Sequence, residues 1–193
     1  APHVFVARRQ ACHLTPVGKD RSFGRPLVLA CAESMAIAVG NVSGADSEDL
    51  AIACRQPDGA GQVSWIYWQQ PGGYSDMKRT ALRTLFACDV ALADLRGAGC
   101  ADVAICQNND RKSFSVESLV YRGGGNGPGG EPARLTSHDA QRVLIARPAG
   151  GAAPSVVLIN RVSRNMLGNI ESAVYFGGPR GYSPERRRLL PAW

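Results

Sequence analysis

Lysine is almost missing from this 193-residue chain, which carries only Lys19, Lys78 and Lys112 among its 22 basic residues. The net charge of +6 is therefore an arginine charge, and it is scattered, with Arg186, Arg187 and Arg188 the one run of three. A dispersed excess lacks the clustered stripe that a phosphate backbone selects, so the run reads as a solvated face and nucleic acid ranks last among the partners considered. Histidine is equally sparse: His3, His13 and His138 lie far apart, and no Ser/His/Asp or Cys/His set shares a motif. The longest apolar stretch, residues 27–39, is broken by Glu33 and Ser34 and is too short to cross a bilayer as a helix. No Cys-x-x-Cys pair occurs, and no histidine stands near a cysteine at zinc-ligand spacing. The glycine-rich residues 123–130 are not followed by Lys-Ser or Lys-Thr, so they form no phosphate loop. Together these absences exclude a helical membrane span and a zinc module, argue against an enzyme, and leave no cofactor to expect.

What is present is globular. Hydrophobic residues make up 45% and charged residues 20%, while 22 glycines and 12 prolines imply many turns. The length suits one ordinary domain or two small ones. Six cysteines, at 12, 31, 54, 88, 100 and 106, fit an oxidising, secreted or lumenal setting, the alternative being buried thiols that pack as small hydrophobes.

The chain repeats itself. Residues 29–41, 82–94 and 135–147 align on Leu29, Leu82 and Leu135, 53 residues apart, and a second set of apolar runs starts at Asp49, Asp102 and Ser155 with the same spacing. A third set carries Tyr67, Tyr121 and Tyr175, 54 residues apart, and glycine-rich turns close each one. The runs are five or six residues long and bounded by Gly, Pro, Asn or Asp, the pattern of strands and turns, not of helices. With a weaker run leading to the next leucine, each unit has about four strands. This predicts an all-β chain of β-propeller blades, because a small twisted sheet must stack on neighbours to bury both faces. A β-sandwich with accidental periodicity is the alternative. The units divide as residues 1–34 for the outer strands of a preceding blade, then blades at 35–87, 88–140 and 141–193.

Residues 39–53, 93–105 and 174–182 resemble FG-GAP/VCBS repeats, the blades of integrin-α-like propellers, and the resemblance covers nearly the whole chain. It implies an extracellular or lumenal propeller acting in adhesion, recognition or scaffolding. In that family the turn between the first two strands commonly binds calcium through an acidic motif. Here the equivalent positions read Asn41, Ser43, Ala45 and Asp49, then Asp94, Arg96, Ala98 and Asp102, then Arg147, Ala149, Gly151 and Ser155. None of these sets supplies the several carboxylates calcium needs, so the loops are eroded and no metal is expected. Arg96 either replaces the ion by neutralising Asp94 and Asp102, or points into solvent.

Trp65, Tyr67 and Trp68 are the candidate ligand-contact aromatics. On a strand Trp65 and Tyr67 share one face and Trp68 takes the other, so core packing between blades competes with sugar stacking at a rim. The functional reading is a non-enzymatic recognition or scaffold module that binds a protein partner or completes a larger propeller; a carbohydrate-binding propeller is the runner-up. If Asp94 and Asp102 flank their turn as partners, Cys88 and Cys106 share a face one diagonal step apart, and a bulge would bring them to bridging distance. Roughly three and a half blades do not close a ring of four to eight. Pro2–Val6 and Leu27–Leu29 read as two outer strands without inner ones, so the chain is expected to be a propeller segment or to be completed by another chain.

Overall fold

A computed structural model of the chain describes residues 3–7, 10–55, 63–108, 113–125, 127–163, 166–167, 170–178 and 181–191. These residues form four antiparallel sheets of three or four strands, with one turn of 3-10 helix at Ala149–Gly151. The first sheet contains β1 (His3–Ala7), β2 (Cys12–Pro16) and β3 (Leu27–Leu29). The second contains β4 (Ser34–Gly40), β5 (Asp49–Cys54), β6 (Val63–Tyr67) and β7 (Arg79–Arg83). The third contains β8 (Ala87–Ala93), β9 (Asp102–Gln107), β10 (Ser118–Arg122) and β11 (Gly129–Leu135). The fourth starts with β12 (Arg142–Ala146) and β13 (Ser155–Ile159), is interrupted by a two-stranded ribbon of β14 (Val162–Ser163) and β15 (Met166–Leu167), and ends with β16 (Ser172–Phe176) and β17 (Arg187–Leu190). Within every sheet each strand pairs with its sequence neighbours, apart from that ribbon.

The first sheet corrects one expectation: it has three strands, not two. β2 lies between β1 and β3, with Phe5 opposite Leu14 and Cys12 opposite Leu29. Its inward Cys12 and Leu14 are buried, but His13, Thr15 and Pro16 give the segment a polar, turn-like composition that hides the alternation.

The cores lie between sheets. Cys12, Leu29 and Cys31 meet Leu50, Ile52 and Tyr67 between the first and second sheets. Ala51, Ala53 and Ile66 meet Val103, Ile105 and Tyr121 between the second and third. Ala104, Cys106 and Val120 meet Val156, Leu158 and Tyr175 between the third and fourth. Successive side chains of a strand point to opposite faces, so β5 and β9, sandwiched between neighbours, are buried along their full lengths. Leu29, Leu82 and Leu135 are all buried, each removed from water at a gain of about 1.5–3 kcal/mol.

Three local devices recur along the chain. Glu33, Phe86 and Asp139, spaced by 53, each take a positive φ (49°, 48° and 46°) at the entry to the next sheet. Tyr67, Tyr121 and Tyr175 each place a hydroxyl on a carbonyl at the end of the preceding sheet, Ala30 at 3.0 Å, Arg83 at 2.5 Å and Thr136 at 2.5 Å. Those acceptors are again 53 apart. Finally, Ser64 and Thr84 form a buried hydroxyl pair at 3.0 Å, and Ser118 and Ser137 another at 2.8 Å. The equivalent place in the first sheet is taken by the Cys12–Cys31 disulfide. At each end of the stack an apolar face is left uncovered: Val6 and Val28, 42% and 52% exposed, on the first sheet, and Leu144 and Phe176, 47% and 41% exposed, on the fourth.

Candidate functional site

In the second, third and fourth sheets the turns joining the first two strands and those joining the last two lie at the same end of the stack. The eroded calcium positions are there, and each carboxylate has a local partner. In the second sheet the buried Asp49 accepts from the N–H groups of Val42 (3.0 Å), Ser43 (2.8 Å) and Gln69 (3.1 Å), tying the first turn to the exit of β6. Asn41 caps the same turn, its Oδ1 accepting from Gly44 at 2.6 Å. In the third sheet Asp102 takes the place of Asp49, but part of its work passes to a side chain: the Arg96 guanidinium donates through Nε at 3.0 Å to both oxygens and through Nη2 at 2.8 Å. Gly123, the counterpart of Gln69, also donates to Asp102 at 2.9 Å, and its carbonyl accepts from Arg96 Nη2 at 3.1 Å. Any side chain at Gly123 would collide with the backbone oxygen of Ala101, so the close approach requires glycine.

Arg96 thus serves one carboxylate, not two. Asp94 is satisfied by the loop backbone, accepting from Ala98 at 2.9 Å, Gly99 at 2.8 Å and Arg96 N at 3.3 Å. Burial pushes the Asp94 carboxyl up, but these N–H groups outweigh it and hold the group below its ordinary value. The Asp102 bonds raise Arg96 further above its already high value, keeping the guanidinium charged.

Between the third and fourth sheets this end opens into a cleft of about 910 Å³, lined by Asp94, Arg96, Arg122, Arg147, Pro154 and Gly181 among others. Among the described residues Arg122 and Arg147 have no carboxylate partner, so the cleft presents two uncommitted guanidinium groups beside the committed Arg96. The sequence did not single these two out as a pair. The available signal was Arg147 standing at the first ligand position of the third eroded loop.

The candidate aromatics are built into the stack. Tyr67 is fully buried in the core toward the first sheet, and its hydroxyl, also 2.9 Å from Asp76 Oδ1, accepts from Arg79 Nη1 at 2.9 Å. Burial raises the Tyr67 phenol well above its usual range, so it stays protonated. Trp65 packs on the same side, with the Arg79 guanidinium 3.8 Å above its ring. Trp68 packs toward the third sheet and donates its indole N–H to Thr80 at 3.0 Å.

At the opposite end β8 bulges between Ala87 and Asp89, which puts Asp89 opposite Cys106. The sulfurs of Cys88 and Cys106 lie 3.0 Å apart and both are thiols. Among the described residues no group of three or more His, Cys, Asp or Glu converges as a metal site, and no helix is long and apolar enough to cross a membrane. No protein-family model matches the chain, and no curated protein matches it.

Proposed function

We propose that this chain is a run of FG-GAP-like propeller blades that works as a non-enzymatic recognition or scaffold module, secreted or lumenal, joined to further blades or to another protein chain. The observation that carries this reading is the pair of uncovered apolar faces at the two ends of the stack. Val4, Val6 and Val28 face outward from the first sheet, and Leu144, Phe176 and Leu190 are exposed on the fourth. Every internal face of the same kind is covered by the next sheet and latched by a tyrosine hydroxyl. Continuing that rule outward calls for another sheet on each side. The arginine cleft adds a specific element: Arg122 and Arg147 suit carboxylates on a protein partner, which a guanidinium can bind in bidentate fashion.

Carbohydrate recognition is the second reading, and it needs free aromatic faces. Trp65, Tyr67 and Trp68 spend theirs on inter-sheet packing, which supports protein recognition over sugar stacking. Residues 1–193 produced alone test the proposal through their mass in solution and their thermal unfolding. Self-association, or broad unfolding that sharpens on adding a partner, is expected. A sharply melting monomer with no tendency to associate would overturn it.

A further inference from the structure

Of the four free cysteines, three are buried and Cys88 alone is partly exposed. Its Sγ lies 3.0 Å from that of Cys106 in the adjacent strand, and its S–H also reaches the Ala140 carbonyl, 2.9 Å away, in the segment leading into the fourth sheet. The pair is brought together by the bulge in β8, which makes Cys88 the extra residue beside Asp89, the register partner of Cys106. No comparable partner faces the others: Cys54 is buried in the core toward the first sheet, where burial pushes its thiol up to about 12. Cys100 is buried beside Arg96, whose Nη2 is 3.9 Å away.

We propose that Cys88 and Cys106 form a redox-reactive dithiol that closes to a disulfide by exchange with a small-molecule disulfide such as oxidised glutathione. The partly exposed Cys88, as thiolate, attacks one glutathione sulfur; the glutathione S–S bond breaks, one glutathione leaves as thiolate, and Cys88 carries a mixed disulfide. Cys106, as thiolate, then attacks the Cys88 sulfur, forming the Cys88–Cys106 bond and expelling the second glutathione. The protein loses two electrons and two protons, and both appear in two reduced glutathione molecules. The order follows from access: Cys106 is fully buried, while Cys88 faces both solvent and Cys106. In the free dithiol the hydrogen bond with Cys88 and burial both raise the Cys106 thiol; once Cys88 carries glutathione, burial still disfavours the Cys106 thiolate, so the second step is the slow one. Closure also removes the S–H that Cys88 donates to Ala140, so oxidation withdraws one tie between the third and fourth sheets.

The experiment incubates the full chain with oxidised glutathione, quenches with acid at intervals, and maps the peptides by mass without reduction. The expected record is a glutathione adduct on Cys88 that converts to a Cys88–Cys106 cross-linked peptide lacking two hydrogens. Cys106→Ser should stop at the adduct, and Cys88→Ser should leave Cys106 unreacted. Phenylarsine oxide, which needs two neighbouring thiols, should protect the wild-type pair. Should either serine variant fold poorly, the time course and the arsenical protection of the wild-type chain still decide. A wild-type adduct that never resolves, or reaction at Cys54 or Cys100 as fast as at Cys88, would overturn the proposal.

Discussion

Asp102 is 1% exposed, and a carboxylate so far from water is stable only while its donors stay in place. Three of its close contacts come from Arg96, whose side chain remains 30% exposed, so truncating the arginine leaves a buried charge with Gly123 N–H as its remaining donor among the described residues. Arg96→Ala is therefore expected to lower unfolding stability by about 1–3 kcal/mol, read as a shift in urea midpoint. Arg96→Lys should restore only part of it, because an ammonium cannot reproduce the forked contact. A chelator should leave the melting temperature of the wild type unchanged. Asp94 gives a separate, pH-dependent signature. Its folded pKa lies below the ordinary 3.8, so its contribution is complete above 3.8 and is lost as the pH falls from there through the depressed value. Asp94→Asn should flatten the acid limb of the stability curve in that window, as measured by unfolding at a series of pH values. Which carboxylate Arg96 would choose was not legible in the sequence, since Asp94 and Asp102 flank it symmetrically in composition. The choice is made by the loop, whose N–H groups at Ala98 and Gly99 already saturate Asp94.

At the scale of strands, the Cys12–Cys31 disulfide stands where the second and third sheets use Ser64–Thr84 and Ser118–Ser137. One strand-to-linker tie is thus covalent in the first sheet and hydrogen-bonded in the next two. Replacing both cysteines by alanine is expected to cost about 2–4 kcal/mol. The pair Cys12→Ser with Cys31→Thr should recover about 1 kcal/mol by recreating the hydroxyl contact, a difference visible in parallel denaturation curves. The period of 53 was legible because Leu29, Leu82 and Leu135, and the tyrosines 54 apart, are core residues whose type is fixed by burial. Other parts left no trace. The positive-φ position is filled by Glu33, Phe86 and Asp139, two carboxylates and an aromatic with no glycine to mark it. β2 was missed because its apolar residues are interleaved with His13 and Thr15, and the bonded cysteine pair could not be picked out by spacing when six cysteines are present.

Taken as a molecule, the stack is finished inside and open at its ends. On the fourth sheet Leu144 pairs with Val157, and Val157 with Val174, forming an apolar row directed away from the third sheet. Leu144→Glu with Phe176→Glu should change the stability of the isolated chain by no more than about 1 kcal/mol, because both side chains are already largely open to water. The same double change should weaken self-association or partner capture, as followed by light scattering against concentration.

The double-sided burial of β5 and β9 has a temporal consequence. Amide protons in Asp49–Cys54 and Asp102–Gln107 sit behind strand neighbours on both edges and side-chain layers on both faces, so they can meet solvent deuterium only when the whole stack comes apart. Protons of β1 and β17, at sheet edges with exposed flanks, can exchange through local fraying. The protection map should therefore peak at those two inner strands and decline toward both ends of the chain, so that a binder covering the fourth sheet would announce itself by slowing exchange in β17 while leaving β5 unmoved.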